Sequence, residues 1–163
     1  MIPELGLIEG YFGQPWAHAE RKLVAGELRR LGYSFFHYAP KADDFLRRRW
    51  RERHTDAAIA ELADLASHCR GLGIRFGVGL SPYELYRDFS GPAKSDFLAK
   101  VRALADLGLD DLALLFDDTR GDVPDLAAKE AEIVHAAMAV TRASRVVMCP
   151  TYYSEDRMLD VVF

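Results

Sequence analysis

Short apolar runs alternate along the chain with longer stretches in which apolar residues recur at helical spacing. Each apolar run is about as long as a buried strand, and glycine, proline or polar residues close it. The predicted strands are residues 5–10, 33–39, 74–80, 112–116 and 145–149. The predicted helices are residues 17–31, 55–71, 93–107 and 124–140, with Met138 on the apolar face of the last, and a fifth helix begins near residue 154. This alternation predicts right-handed βαβ units in a parallel sheet of the α/β class.

Two parallel architectures fit this alternation: an open doubly wound sheet, and the front part of a (β/α)₈ TIM barrel. No glycine-rich phosphate loop follows the first strand, so the main nucleotide-binding signature of doubly wound sheets is absent. Polar or aromatic residues close four of the five strands, which suits a barrel with its site at the carboxyl ends of its strands. A complete barrel needs about 250 residues. We therefore expect residues 1–163 to be a single domain, an incomplete barrel with about the first five of eight βα units.

The composition is that of a soluble globular protein, since 50% of the residues are hydrophobic and 28% are charged. The net charge of −4 and the pI near 5.7 argue against a general nucleic-acid binder, which would carry a strong basic excess. The arginines between residues 47 and 53 are balanced by nearby acids, so we expect them on a solvated surface. The chain shows no signal-peptide pattern and no run long enough to span a membrane. We therefore expect a cytoplasmic protein, unless a leader has been removed.

Metal and disulfide chemistry find little support in the residue pattern. Cys69 falls in a helical pattern and Cys149 in a strand pattern, and nothing suggests a disulfide framework or a zinc motif. His37 invites a metal site with Asp117, but no second histidine or spaced set of carboxylates completes it. We therefore expect neither a metal nor another cofactor.

Two adjacent carboxylates, Asp117 and Asp118, follow directly after the predicted strand 112–116. Ligands and chemistry gather at the carboxyl ends of parallel strands, where paired carboxylates can act as general acid and electrostatic partner. The alternative is that one aspartate caps the next helix and the other is solvated. These residues alone leave both interpretations open.

Four segments taken together resemble glycoside hydrolase family 84. They are residues 8–16 (Ile-Glu-Gly-Tyr-Phe-Gly-Gln-Pro-Trp), residues 38–44 (Tyr-Ala-Pro-Lys-Ala-Asp-Asp) followed by Arg48 and Trp50-Arg51, residues 114–118 (Leu-Leu-Phe-Asp-Asp) and residues 149–153 (Cys-Pro-Thr-Tyr-Tyr). That family contains protein O-GlcNAcases and bacterial β-N-acetylglucosaminidases, some of them called hyaluronidases. Any one segment is a weak signal, but the four occur in the right order along the whole chain.

The resemblance implies a role for each matching residue. Asp118 would be the general acid that protonates the glycosidic oxygen and later activates water. Asp117 would orient the 2-acetamido group of the substrate, whose carbonyl oxygen attacks the anomeric carbon to give an oxazoline and net retention. The backbone of Gly10 and the ammonium of Lys41 would bind sugar hydroxyls, and Tyr153 would lie near the acetamido pocket. Considered singly, Gly10 could also be a turn glycine, Lys41 a surface charge and Tyr153 a packing aromatic.

The sequence departs from the family pattern in three ways. Tyr11-Phe12 reverses the usual aromatic order, and Ser81-Pro82-Tyr83 stands where Pro-Gly is common. The later strands, which in the family supply further asparagine and aspartate ligands, are absent. Trp16 and Trp50 could stack on sugar, but packing of the loops is the favoured interpretation.

The resemblance predicts an enzyme of the β-N-acetylhexosaminidase type that removes terminal β-linked N-acetylglucosamine from a carbohydrate or glycoprotein. An alternative is a non-catalytic carbohydrate-binding or structural remnant of such a barrel, and a weaker one is an unrelated barrel enzyme. A sheet that stops after its fifth strand leaves two apolar edges. We therefore expect the chain to associate with a second copy or to be a piece of a longer protein.

Overall fold

Five strands and four helices alternate in a computed structural model that describes residues 4–117, 120 and 123–152. The strands are β1 (Gly6–Glu9), β2 (Phe35–Tyr38), β3 (Arg75–Leu80), β4 (Asp111–Leu115) and β5 (Arg145–Cys149). The helices are α1 (His18–Arg30), α2 (Asp56–Gly71), α3 (Gly91–Ala105) and α4 (Leu126–Met138). The helix expected near residue 154 lies outside the described residues. Two 3₁₀ turns that the sequence did not predict, Asp44–Leu46 and Leu85–Arg87, follow β2 and β3.

The strands lie side by side in the order β1-β2-β3-β4-β5, and every neighbouring pair is parallel. A doubly wound sheet would reverse direction from a central strand, whereas sequential order is that of a (β/α)₈ barrel. The barrel-type prediction is therefore confirmed. Within the part of the chain that the structure describes, β1 and β5 each pair with one strand, so the sheet is open.

The core lies between the sheet and the helices that cover one of its faces. Phe36, Phe76 and Leu114 point to this covered face and pack with helix residues such as Leu65 and Phe97, all of them almost completely buried. These residues come from the apolar runs and the helical stripes of the sequence, as predicted. Met138 is an exception, because this last residue of α4 is 55% exposed instead of lying in the core.

The opposite, inner face of the sheet carries small residues where neighbouring strands crowd together. A Cβ atom on Gly77 would lie 2.4 Å from Cδ2 of His37, and one on Gly79 would lie 2.6 Å from Cβ of Ala39. Gly77 and Gly79 therefore make room for their neighbours. Where the sheet is open, this face is uncovered, and Val147 of β5 is 39% exposed.

A buried polar layer joins the amino-terminal half of the sheet. Nε2 of His37 lies 2.9 Å from Oδ2 of Asp111, and Nε of Arg75 lies 3.3 Å from the same carboxylate. Burial alone would raise the pKa of Asp111, but the hydrogen bond from His37 and the charge of Arg75 outweigh it and hold this pKa below its usual value. Arg75 also pairs with Glu4, which in turn contacts Arg145 at the start of β5. His37 therefore pairs with Asp111 within the sheet.

Candidate active site

Three of the five predicted site residues lie at the carboxyl ends of the strands in the described structure. Gly10 follows β1 directly, Lys41 comes three residues after β2 ends, and Asp117 comes two residues after β4 ends. The other two, Asp118 and Tyr153, lie outside the described residues. The carboxyl edge is where parallel barrels place their chemistry, so the location agrees with the prediction.

Lys41 and Asp117, which are 76 residues apart in the sequence, form an ion pair. Nζ of Lys41 donates a hydrogen bond of 2.9 Å to Oδ2 of Asp117. The Lys41 side chain is only 3% exposed, whereas that of Asp117 is 28% exposed. Oδ1 of Asp117 is buried and has no hydrogen-bond partner among the described residues. The pair therefore presents a fixed carboxylate with one acceptor atom still available to a donor.

A tight turn carries Lys41 into this position. The backbone N–H of Asp43 donates to the carbonyl of Pro40 at 2.9 Å, which closes the turn around Lys41. The N–H of Lys41 donates to the carbonyl of Tyr11 at 3.4 Å, and its ammonium lies 5.9 Å from the centre of the Phe12 ring. The segments that follow β1 and β2 are therefore in direct contact beside the carboxylate.

Gly10 lies in the segment that follows β1, and a side chain there would meet no serious obstacle. Its N–H donates to the carbonyl of Ile8 at 2.8 Å, and a Cβ atom would lie 3.5 Å from Cγ2 of Ile8, an ordinary contact. The left-handed backbone in this segment occurs at Gly13, whose φ is +121°. The described contacts alone do not require glycine at position 10.

A buried ion pair that the sequence analysis did not single out fixes the end of β1. Glu9 accepts hydrogen bonds from Nε and Nη2 of Arg21 at 2.7 and 2.9 Å and from the backbone N–H of Trp16 at 3.3 Å. The Arg21 guanidinium also lies 4.8 Å from the centre of the Tyr38 ring. The sequence did contain a signal, because Arg21 shares the buried face of α1 with Ala25 at helical spacing.

One of the two tryptophans, Trp50, packs in the interior and supports the loops. Trp50 is fully buried, and its indole N–H donates to the carbonyl of Tyr83 at 3.2 Å. This confirms the packing interpretation of Trp50. Among the described residues, the exposed aromatics that follow the strands are Tyr11, Phe12, Tyr83 and Tyr152, which are 38%, 65%, 42% and 52% exposed.

Neither a metal-binding cluster nor a membrane-spanning helix occurs among the described residues. Residues 4–117, 120 and 123–152 contain no cluster of three or more His, Cys, Asp or Glu side chains that could hold a metal ion. In the same residues no helix is long and apolar enough to cross a membrane. A cavity of about 440 Å³ lies between residues 51–54 and α3, and Asp117 does not line it.

Sequential parallel strands, helices on one face and an ammonium–carboxylate pair at the carboxyl edge define a protein of the (β/α)₈-barrel class. The sequence profile of the β-N-acetylglucosaminidase family matches residues 5–161. Because this match covers nearly the whole chain, the chain belongs to the β-N-acetylglucosaminidase family, glycoside hydrolase family 84, as its four motifs predicted.

Relatives and solved structures agree with this assignment. The O-GlcNAcases of Rattus norvegicus and Mus musculus are each 30% identical to the chain over an alignment of 161 residues, and this alignment covers 91% of this chain and 17% of theirs. A mutant of the Thermobaculum terrenum O-GlcNAc hydrolase has a TM-score of 0.84 and 24% identity, and the match covers 94% of this chain and 36% of that one. CpGH84B has a TM-score of 0.79 and 23% identity, with 92% of this chain and 27% of that one covered. These two structures show the likeness of fold.

Proposed function

We propose that the protein hydrolyses terminal β-linked N-acetylglucosamine from glycoconjugates, and that residues 1–163 are the N-terminal portion of a family 84 catalytic barrel. The observation that carries this proposal is the contact between Lys41 and Asp117 at the carboxyl edge of the sheet. Two relatives named O-GlcNAcase support the substrate class. The chain spans 17% of the length of these relatives. The activity is therefore proposed for a complete protein that contains residues 1–163 as part of its catalytic barrel.

The proposed reaction uses the 2-acetamido group of the substrate as its nucleophile. The N–H of this group donates to Oδ1 of Asp117, while Lys41 holds the other oxygen of that carboxylate and donates to a sugar hydroxyl. The acetamido carbonyl oxygen attacks the anomeric carbon, the glycosidic bond breaks, and Asp118 gives its proton to the leaving oxygen. The intermediate is a protonated oxazoline, which keeps its N–H on Asp117. Water then adds to the anomeric carbon and loses a proton to Asp118, while the bond from this carbon to the acetamido oxygen breaks, which restores the acetamido group with net retention.

The negative charge of the Asp117 carboxylate is what this mechanism requires of the ion pair. Positive charge develops on the acetamido group as its oxygen attacks, so a fixed carboxylate beside its N–H stabilises the transition state more than the ground state. A carboxylate held by a buried ammonium does not have to reorganise when this charge develops. The backbone of Gly10 would bind a sugar hydroxyl, and Tyr153 would border the acetamido pocket.

Substrate choice and leaving-group dependence test this proposal. The protein should hydrolyse aryl N-acetyl-β-glucosaminides and spare aryl β-glucosides, which lack the nucleophile. Asp118→Asn should slow poor leaving groups more than good ones, because protonation matters least for good leaving groups. Asp117→Asn should lower kcat for all of them, whereas Asp56→Asn, at a 96% exposed side chain, is the control that should change nothing. Equal turnover of glucosides and N-acetylglucosaminides would refute the acetamido mechanism, and loss of activity with EDTA would point to a metal.

The alternative predicted from the sequence is a non-catalytic carbohydrate-binding or structural remnant of such a barrel. Calorimetry with N-acetylglucosamine separates the two proposals, since a remnant binds the sugar without turning over an aryl glycoside. The cytoplasmic location expected from the sequence also remains a prediction, and cell fractionation checks it.

A further inference from the structure

A buried polar network, formed by Tyr38, Asp43, His54 and Lys100, lies next to the turn that carries Lys41. The hydroxyl of Tyr38 donates to Oδ2 of Asp43 at 2.9 Å, and Nε2 of His54 lies 3.1 Å from the same oxygen. Nδ1 of His54 lies 3.4 Å from Nζ of Lys100, which also donates to the carbonyl of Glu52 at 2.9 Å. The polar network links β2, two loop segments and α3.

The side chains of the polar network are buried, so each depends on its neighbours for hydrogen bonds that water cannot supply. The side chains of His54 and Asp43 are 3% and 10% exposed, and Lys100 is 6% exposed. Burial alone would raise the pKa of Asp43, but the hydrogen bonds from His54 and Tyr38 outweigh it and keep this pKa below its usual value. Asp43 is therefore a carboxylate. The tautomer of His54 that carries its proton on Nε2 can donate to Asp43 and accept from Lys100 at Nδ1.

Asp43 connects the polar network to the candidate site. Its backbone N–H closes the turn that begins at Pro40, with Lys41 between the two residues. Its Oδ1 accepts from the backbone N–H of Phe45 at 3.0 Å and so caps the 3₁₀ turn Asp44–Leu46. Asp43 thus takes part in both turns, through its backbone N–H in the turn that carries Lys41 and through its side chain in the turn that follows it. Removing a partner of Asp43 would leave a buried charge poorly satisfied, and the turn would be free to move.

We propose that His54 and Lys100 are positioning residues of the glycosidase site, which hold Asp43 so that the Pro40–Asp43 turn presents the Lys41 ammonium to Asp117. This proposal rests on the proposed function for its consequence in catalysis. Its structural content is independent of that function, because the contacts of the turn exist with or without a substrate. Lys100 acts through His54, and His54 acts through Asp43.

Amide hydrogen exchange tests the positioning without any use of activity. His54→Leu and Lys100→Met should speed exchange at the amides of Lys41 and Asp43 by about tenfold or more, while exchange in the central strand β3 stays unchanged. His18→Leu is the matched control, because His18 pairs with Asp64 on the surface of α1 and α2, away from the turn. His54→Gln keeps an amide donor near the position of Nε2 and should restore most of the protection. Unchanged exchange at Lys41 and Asp43 in both His54→Leu and Lys100→Met would overturn the proposal.

A double-mutant cycle tests the consequence for catalysis. His54→Leu should lower kcat/KM on an aryl N-acetyl-β-glucosaminide about tenfold, but should cause no further loss when Lys41→Met is already present, because the two residues act as one unit. A merely structural role would reduce the folded fraction, leave KM unchanged and add to the loss caused by Lys41→Met, and that outcome would overturn the proposal. If the wild-type protein neither binds nor hydrolyses the sugar, the proposed function fails, and the exchange experiment still decides the positioning role.

Discussion

Replacing Glu9 by glutamine should strongly destabilise the protein, although the two side chains have nearly the same shape. The Glu9 side chain is 0% exposed and that of its partner Arg21 is 9% exposed, so the substitution leaves a buried guanidinium without a counter-charge. In the native protein the hydrogen bonds and the charge of Glu9 outweigh the burial of Arg21 and raise the pKa of its guanidinium. Arginine keeps its proton in proteins even without a partner, so Arg21 stays charged in the variant.

The expected magnitude follows from the burial of both partners. Breaking a buried ion pair by removing one partner destabilises a protein by about 3–5 kcal/mol. The amide oxygen of a glutamine still accepts one hydrogen bond from Arg21, so we expect the lower end, about 3 kcal/mol. A domain of this size loses about 2–4 °C of Tm for each kcal/mol, so Tm should fall by about 6–12 °C. The end of β1 would loosen with it, immediately before Gly10 of the candidate site.

Urea unfolding followed by circular dichroism measures this effect. Glu27→Gln is the matched control, because Glu27 pairs with Arg30 on the surface of α1, where both side chains are more than half exposed at 63% and 67%. The control should leave the unfolding midpoint unchanged, since exposed pairs contribute little. The double variant Glu9→Leu/Arg21→Leu should be more stable than Glu9→Gln, because it buries no unpaired charge. A Glu9→Gln protein within about 1 kcal/mol of wild type would refute the reasoning.

Three further predictions concern the sheet, the pH dependence and the open edges. Gly77→Ala should destabilise by about 1–3 kcal/mol through overpacking, whereas Gly26→Ala, which meets nothing within 4 Å, should stabilise slightly; equal thermal shifts would contradict this. Burial lowers the pKa of Lys100 from 10.5 to about 8, so the free energy of unfolding should rise with pH between these values, and this gain should be lost as the pH falls through 8. The difference in unfolding free energy between wild type and Lys100→Met should therefore change with pH over the same range, and a difference that stays constant would contradict the prediction. Light scattering should detect concentration-dependent self-association of the 163-residue chain that Val147→Lys on β5 weakens, and a stable monomer with full activity would show that this edge needs no cover.

The strands and helices could be predicted because burial leaves a direct trace in the sequence. The fifth strand, residues 145–149, is observed with the predicted bounds, since an apolar run between polar segments has few other places to go. The exposure of Met138 could not be predicted. Helical spacing determines which residues share a face, but not where along the helix the neighbouring element ends, and Met138 is the last residue of α4.

The site could be predicted only in part, because its contacts join distant segments. The position of Asp117 follows from the strand pattern, but the pairing with Lys41 depends on the sheet topology, which brings together residues 76 apart. The family resemblance predicts that both belong to one site. Spacing alone gave no sign that His54 would meet Asp43 and Lys100, since none of the three lies on a shared helix or strand.

The partner of His37 shows how register decides such contacts. His37 lies opposite Gly77 of β3, and Gly77 lies opposite Asp111 of β4. Because Gly77 has no side chain, the imidazole of β2 reaches across β3 to the carboxylate of β4. The sequence alone does not reveal this partner, because Asp111 lies two strands away from His37 in the sheet and 74 residues away along the chain.

The same register links the amino-terminal polar layer to the carboxyl edge of the sheet. A slip of one residue between β3 and β4 would turn every side chain of one strand to the opposite face. Asp111 would then leave His37 and Arg75 and lie unpaired against the helices, at the high cost of a buried charge without partners. The polar layer therefore favours one register over its neighbours. That register places the end of β4 beside the segment that follows β2, where Asp117 meets Lys41.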